Sequence, residues 1–167
     1  MADEKAPEET KPMTVKDLSD MAELYHVPMS KGTLEQIAGD NVTPEKAKAF
    51  EEYIKTTAQG LYPTLAKQIA SGIPTAYLLD PYRQVAKQKL GEDFEPNFQS
   101  DPKATRALTG GVDPQTGRPA PMSLDEWKQH IMNEPGFGYH NTTEAIDRVS
   151  KVMQEMNTHF SNPGGNQ

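Results

Sequence analysis

The chain has 167 residues, which suits one domain or two small ones. Only 35% of them are hydrophobic, so a small core and a need for partners are expected. A net charge of -7 with no Lys/Arg run argues against a general nucleic-acid binder, and zero Cys excludes disulfides and thiolate metal sites.

Residues 1–13 are charged, contain Pro and lack an apolar period, so they read as a disordered acidic tail. Residues 14–90 read as a helical domain. Thr14 caps a short helix in which Val15, Leu18, Ala22 and Tyr25 share a face, and Val27-Pro28 ends it. Lys31 to Ala38 offers Leu34 and Ile37, and Gly39 closes it. The pair has the outline of a helix-turn-helix. Neither helix carries the basic face of a DNA reader, so two packing helices are expected. Thr43-Pro44-Glu45 starts the next helix with a cap, a first-turn Pro and an acid at the positive end of the dipole. Phe50, Tyr53, Ile54 and Leu61 form its predicted buried stripe. Gly60 and Pro63 should kink or break it, and Leu65 and Ile69 carry the pattern to Ser71-Gly72. Pro74 opens one further turn. Asp80-Pro81 then caps a separate helix with Tyr82, Val85, Ala86 and Leu90 inward. Tyr53, Tyr62, Tyr77 and Tyr82 read as packing residues in preference to a binding wall.

Residues 91–121 read as an extended Pro/Gly-rich linker anchored by Phe94 and Phe98. It holds one short helix from Asp101-Pro102 to Leu108, and a turn at Asp113-Pro114-Gln115-Thr116-Gly117. One short bridge is expected near Val112 to Ala120. Residues 122–160 read as a helix–turn–helix hairpin. Ser123 and Glu126 fit a capping box, and Met122 and Trp127 fall at staple positions. Leu124, Trp127 and Ile131 make an apolar stripe. Pro135-Gly136 stops the helix, and Phe137 and Tyr139 can fold back over it. Asn141 with Glu144 suggests a second capping box. Ile146, Val149, Met153, Met156 and Phe160 then recur on one face. Residues 161–167 read as a flexible tail. The fold class is therefore all-α: short helices around a small core, with disordered ends.

Reactive constellations are absent from the pattern. His26, His130, His140 and His159 do not pair at i, i+4, so no zinc site and no other cofactor is expected. Thr109-Gly110-Gly111 lacks the rest of a phosphate loop, and no Gly-x-Ser-x-Gly occurs. Glu126 beside Trp127 is the one acid with an apolar neighbour, and its capping role accounts for it. No apolar run approaches a membrane span, and no signal-peptide core follows Met1.

Some motifs carry a resemblance. Met122-Ser123-Leu124-Asp125-Glu126-Trp127 is followed by Asn133-Glu134-Pro135-Gly136-Phe137-Gly138-Tyr139. Thr142 or Thr143 with Ala145 then opens a helix ending in Phe160. This series resembles the C-terminal segment of small virion structural proteins of tailed bacteriophages, as does Gly72 to Leu90 with Asp80-Pro81-Tyr82. The likeness spans about 61 to 160, and Phe160-Ser161 departs from the group's usual Phe-Gly. It implies a non-enzymatic virion component made in the host cytoplasm, with tail-lumen or tape-measure-associated, internal head and scaffolding roles all open. Its implied partners are other virion proteins and further copies of itself, with no specific nucleic-acid binding. The expected interface is Trp127, Phe137, Tyr139, Ile146, Val149, Met153, Met156 and Phe160. A cytoplasmic helical adaptor or scaffolding module binding one partner is the alternative reading, and a cell-wall hydrolase the third.

Overall fold

The structure is a computed structural model, and it describes residues 13–161. The chain is all-α, as its caps and 3.6-residue stripes predict. Eight α-helices and three 3-10 turns make up almost all the regular structure among the described residues. The small bridge falls where it was expected, with β1 (Gly111–Val112) antiparallel to β2 (Pro119–Ala120). Both predicted tails, 1–13 and 161–167, lie outside the described residues except at Met13 and Ser161. Chain contacts divide the protein into two compact units that meet at the Leu78–Leu79 step.

The first unit holds α1 (Val15–Leu24), α2 (Lys31–Ala38), α3 (Pro44–Leu61) and α4 (Ala66–Ala70). Thr14 and Asp17 form a reciprocal capping box at the start of α1, and Ser30 and Thr43 cap α2 and α3. Leu18, Ala22, Tyr25, Leu34, Phe50, Ile54, Ala58, Tyr62, Leu65 and Ile69 make the core. Tyr53 and Leu61 are exposed, so the α3 stripe is Phe50, Ile54 and Ala58 instead of the predicted set. Phe50, Ile54 and Ala58 fall on one i, i+4, i+8 line of the helix, and Tyr53 and Leu61 lie off that line. Thr75 is the one buried polar residue of this core. Its hydroxyl donates to the Leu24 carbonyl at 3.4 Å, so it can accept from His26 Nδ1 at 3.2 Å. Both ends of the hydroxyl are used, as burial requires.

A single helix, α5 (Thr75–Leu90), continues through Pro81. The sequence predicts a break at Asp80-Pro81, and that expectation is corrected. Proline removes the hydrogen bond to the carbonyl four residues back and crowds it. Here that carbonyl belongs to Tyr77, and Tyr77, Asp80 and Pro81 are all exposed, so water can serve the orphaned group.

The second unit holds α5 from Leu79 on, α6 (Pro102–Thr109), α7 (Leu124–Asn133) and α8 (Thr143–Ser161). Residues 91–121 do not lie apart as an extended strap. Phe98, Ala104, Ala107 and Leu108 are buried in this unit, and Pro96 with them. Glu95 pairs with Lys87 at 2.5 Å, and the Met122 amide donates to the Ala107 carbonyl at 2.8 Å. Small residues allow the close approach: a Cβ added to Gly111 would collide with the Pro121 backbone.

Pro81→Ala should stabilise the chain, because the exposed Tyr77 carbonyl regains its amide partner. The scale is on the order of 1–3 kcal/mol. Thermal melts of the two proteins read the difference, and an unchanged or lower Tm would show that the proline is not strained in α5.

Candidate interaction surface

Trp127 sits on α7, whose start is fixed by the Ser123–Glu126 capping box. The Glu126 carboxylate accepts from the Ser123 amide at 2.7 Å and its hydroxyl at 2.8 Å. Those bonds hold the Glu126 carboxyl below its ordinary range. A glycosidase general acid needs the opposite shift. The box turns Trp127 inward, to 0% exposure.

Four rings surround that indole. Phe137 meets it edge-on at 5.6 Å, Phe98 lies at 6.2 Å, Tyr82 at 6.5 Å and the His130 ring at 5.7 Å. The indole Nε1–H donates to the Tyr82 carbonyl at 2.9 Å. The Tyr82 hydroxyl in turn donates to the Met122 carbonyl at 2.6 Å. Burial, followed by the Glu126 charge, raises the Tyr82 phenol. His130 Nε2 contacts the Lys103 carbonyl at 3.1 Å, so that nitrogen carries the proton. His130 and His140 are not brought together: His140 instead lies against Tyr139.

The predicted interface therefore falls into two sets. Trp127, Phe137 and Tyr139 are interior, and their apolar surface is spent within the unit. Leu124, expected beside Trp127, is exposed. Ile146, Val149, Met153 and Met156 stand on the open side of α8, with Val152 beside them. All five are between 48 and 64% exposed. Val152 was not anticipated, because it lies one position off the 146–149–153–156 line. The Phe160 side chain lies outside the described residues.

Among the described residues of α8, the buried and paired side chains belong to its first turn. Thr142, not Asn141, is its cap: the Thr142 hydroxyl accepts from the Ala145 amide at 3.3 Å. Asn141 ends a 3-10 turn, Tyr139–Asn141, opened by Gly138 in the left-handed region at φ 68°. Glu144, released from the predicted capping role, pairs with Lys89 of α5 at 2.6 Å. Lys89 holds the Glu144 carboxyl below its usual value. Sequence carried no signal for this pair, which spans 55 residues. An open groove of about 530 Å³ runs beside it, with Leu90, Phe94, Phe137 and Thr142 among its walls.

Among the described residues, no group of three or more His, Asp or Glu side chains is placed to hold a metal ion. No described helix is long and apolar enough to cross a membrane. No family model, curated protein or solved structure matches the chain.

Trp127→Ala should cost on the order of 3–5 kcal/mol, since it empties the centre of the ring cluster. Trp127→Phe should cost less, about 1–3 kcal/mol, for a lost hydrogen bond and a partly filled site. Denaturant titrations order the variants, and equal stabilities of wild type and Trp127→Ala would refute the central role of the indole.

A depressed carboxyl contributes stability above its unfolded pKa, and that contribution is lost as pH falls through the folded value. Glu144 should therefore help hold α8 at neutral pH and release it below about pH 4. Glu144→Gln should melt lower than wild type at pH 7, and the gap should close by pH 3. A constant gap across that range would count against the Lys89 pair as its source.

Proposed function

We propose that the chain is a structural and assembly protein of a tailed-bacteriophage virion, acting through helix-mediated packing and not through catalysis. The observation that carries this reading is the α8 face. Ile146, Val149, Val152, Met153 and Met156 together present an apolar strip on one side of a 19-residue helix. A protein with so lean a core does not leave such a strip in water without use, because contiguous exposed apolar surface marks contact sites. Two methionines suit an adaptable contact, since the unbranched side chain fits irregular partners. The Trp127 helix and Pro135-Gly136-Phe137 turn supply the rigid base that aims the strip. The same motifs carry the likeness to phage virion proteins. A particle, tail or head, would supply the partner surfaces and some of the stability the chain lacks alone.

Mass spectrometry of particles purified from the encoding phage tests the reading. The chain should be present in stoichiometric amount, and the double variant Val149→Glu with Met153→Glu should stay folded but be missing from particles. A chain found only in the host cytoplasm would favour the adaptor reading instead. Normal incorporation of the double variant would remove α8 as the assembly surface.

A further inference from the structure

We infer that the α8 face is covered by a second copy of the same chain, packed antiparallel. This inference rests on the assembly reading above and names the partner. The apolar positions recur at 146, 149, 153 and 156, a 3-4-3 spacing that matches the a and d positions of a heptad. Phe160 continues the spacing in sequence. Next to this seam, one flank carries the exposed Val152 at a g position, with Ala145, buried at the first turn, before it and His159 after it in sequence. The other flank is polar, with Ser150 and Asn157 at e positions. No Asp, Glu, Lys or Arg occupies either flank, so no fixed charge there repels an identical helix.

The unequal flanks decide the direction. In a parallel pair, the g flank of one helix faces the e flank of the other, so Val152 would lie against serine and asparagine. In an antiparallel pair, like flanks meet. Val152 then lies against Val152 of the second copy, and Ser150 against its counterpart. The matching register sets Ile146 opposite Met156 and Val149 opposite Met153, twice over by symmetry. Outside the valine flank, Arg148 of one copy comes level with Glu155 of the other, again twice. Helix dipoles also oppose. The register brings the last turn of the partner's α8 level with Thr142, at the groove described above.

The strip offers on the order of 500 Å² per copy, somewhat below the roughly 800 Å² per partner of a stable complex. The dimer is therefore expected to be of micromolar class.

Sedimentation equilibrium of the full chain should show a monomer–dimer equilibrium, weakened at least tenfold by Val149→Glu with Met153→Glu. Arg148→Glu should weaken it on the exposed flank without threatening the fold, and adding Glu155→Arg should restore it. The chain contains no Cys, so introduced cysteines report register cleanly. Under mild oxidation, a mixture of Val149→Cys and Met153→Cys chains should form disulfide heterodimers much faster than either variant links to itself. Faster self-linking by each variant alone would overturn the antiparallel pairing. A chain that stays monomeric at all concentrations would overturn the second copy as occupant. If α8 variants were still lost from particles in that case, the assembly reading would stand and a different virion protein would be the partner.

Discussion

The second unit depends on one requirement: a buried indole must be covered on all sides and its N–H must find an acceptor. Trp127 meets the second condition at the Tyr82 carbonyl on α5, and the first through Phe98, Phe137, His130 and Tyr82. Each of those residues comes from a different stretch of chain. The indole therefore gathers α5, the 91–121 segment, α7 and the turn after it into one body. The polar bonds around it are directional, which selects one arrangement from the many an aliphatic core of this size would tolerate. Here a lean composition gains specificity from a few rings and shared carbonyls.

Much of this was legible in the residues. Thr14, Thr43, Asp101 and Ser123 each cap the helix they were expected to cap, because capping is local and needs only a few neighbouring residues. Less was legible wherever tertiary packing decided. Pro81 reads as a helix boundary and is tolerated mid-helix because its face is wet. Residues 91–121 read as a linker because their apolar groups are sparse. Phe98, Ala104, Ala107 and Leu108 are buried all the same, with Trp127 packed against Phe98. At Asn141 two capping candidates stood side by side, and Thr142 won because the Gly138 turn places its hydroxyl over the helix end.

The candidate surface was half visible. Periodicity picked out the α8 face, and the same kind of stripe picked out Leu124, Trp127 and Ile131, with Phe137 and Tyr139 read as folding back after the Pro135-Gly136 stop. Sequence spacing cannot tell an apolar face that is buried from one that is left open, since both carry the same pattern. The difference lies in what else the chain has available to cover each face. Rings converge on α7 from three other segments, while the described side chains of α8 beyond its first turn are all exposed. The Lys89–Glu144 pair marks where that support ends.

The burial of the lone tryptophan has an optical consequence. Four of the six tyrosines, Tyr25, Tyr53, Tyr62 and Tyr77, fall before the Leu78–Leu79 step, and the indole falls after it. Emission excited selectively at the indole thus originates wholly in the second unit, while most phenol emission originates in the first. The native chain carries its own two-colour label. Comparing the two signals through a melt shows whether the units lose structure together or in turn, with no dye and no mutation.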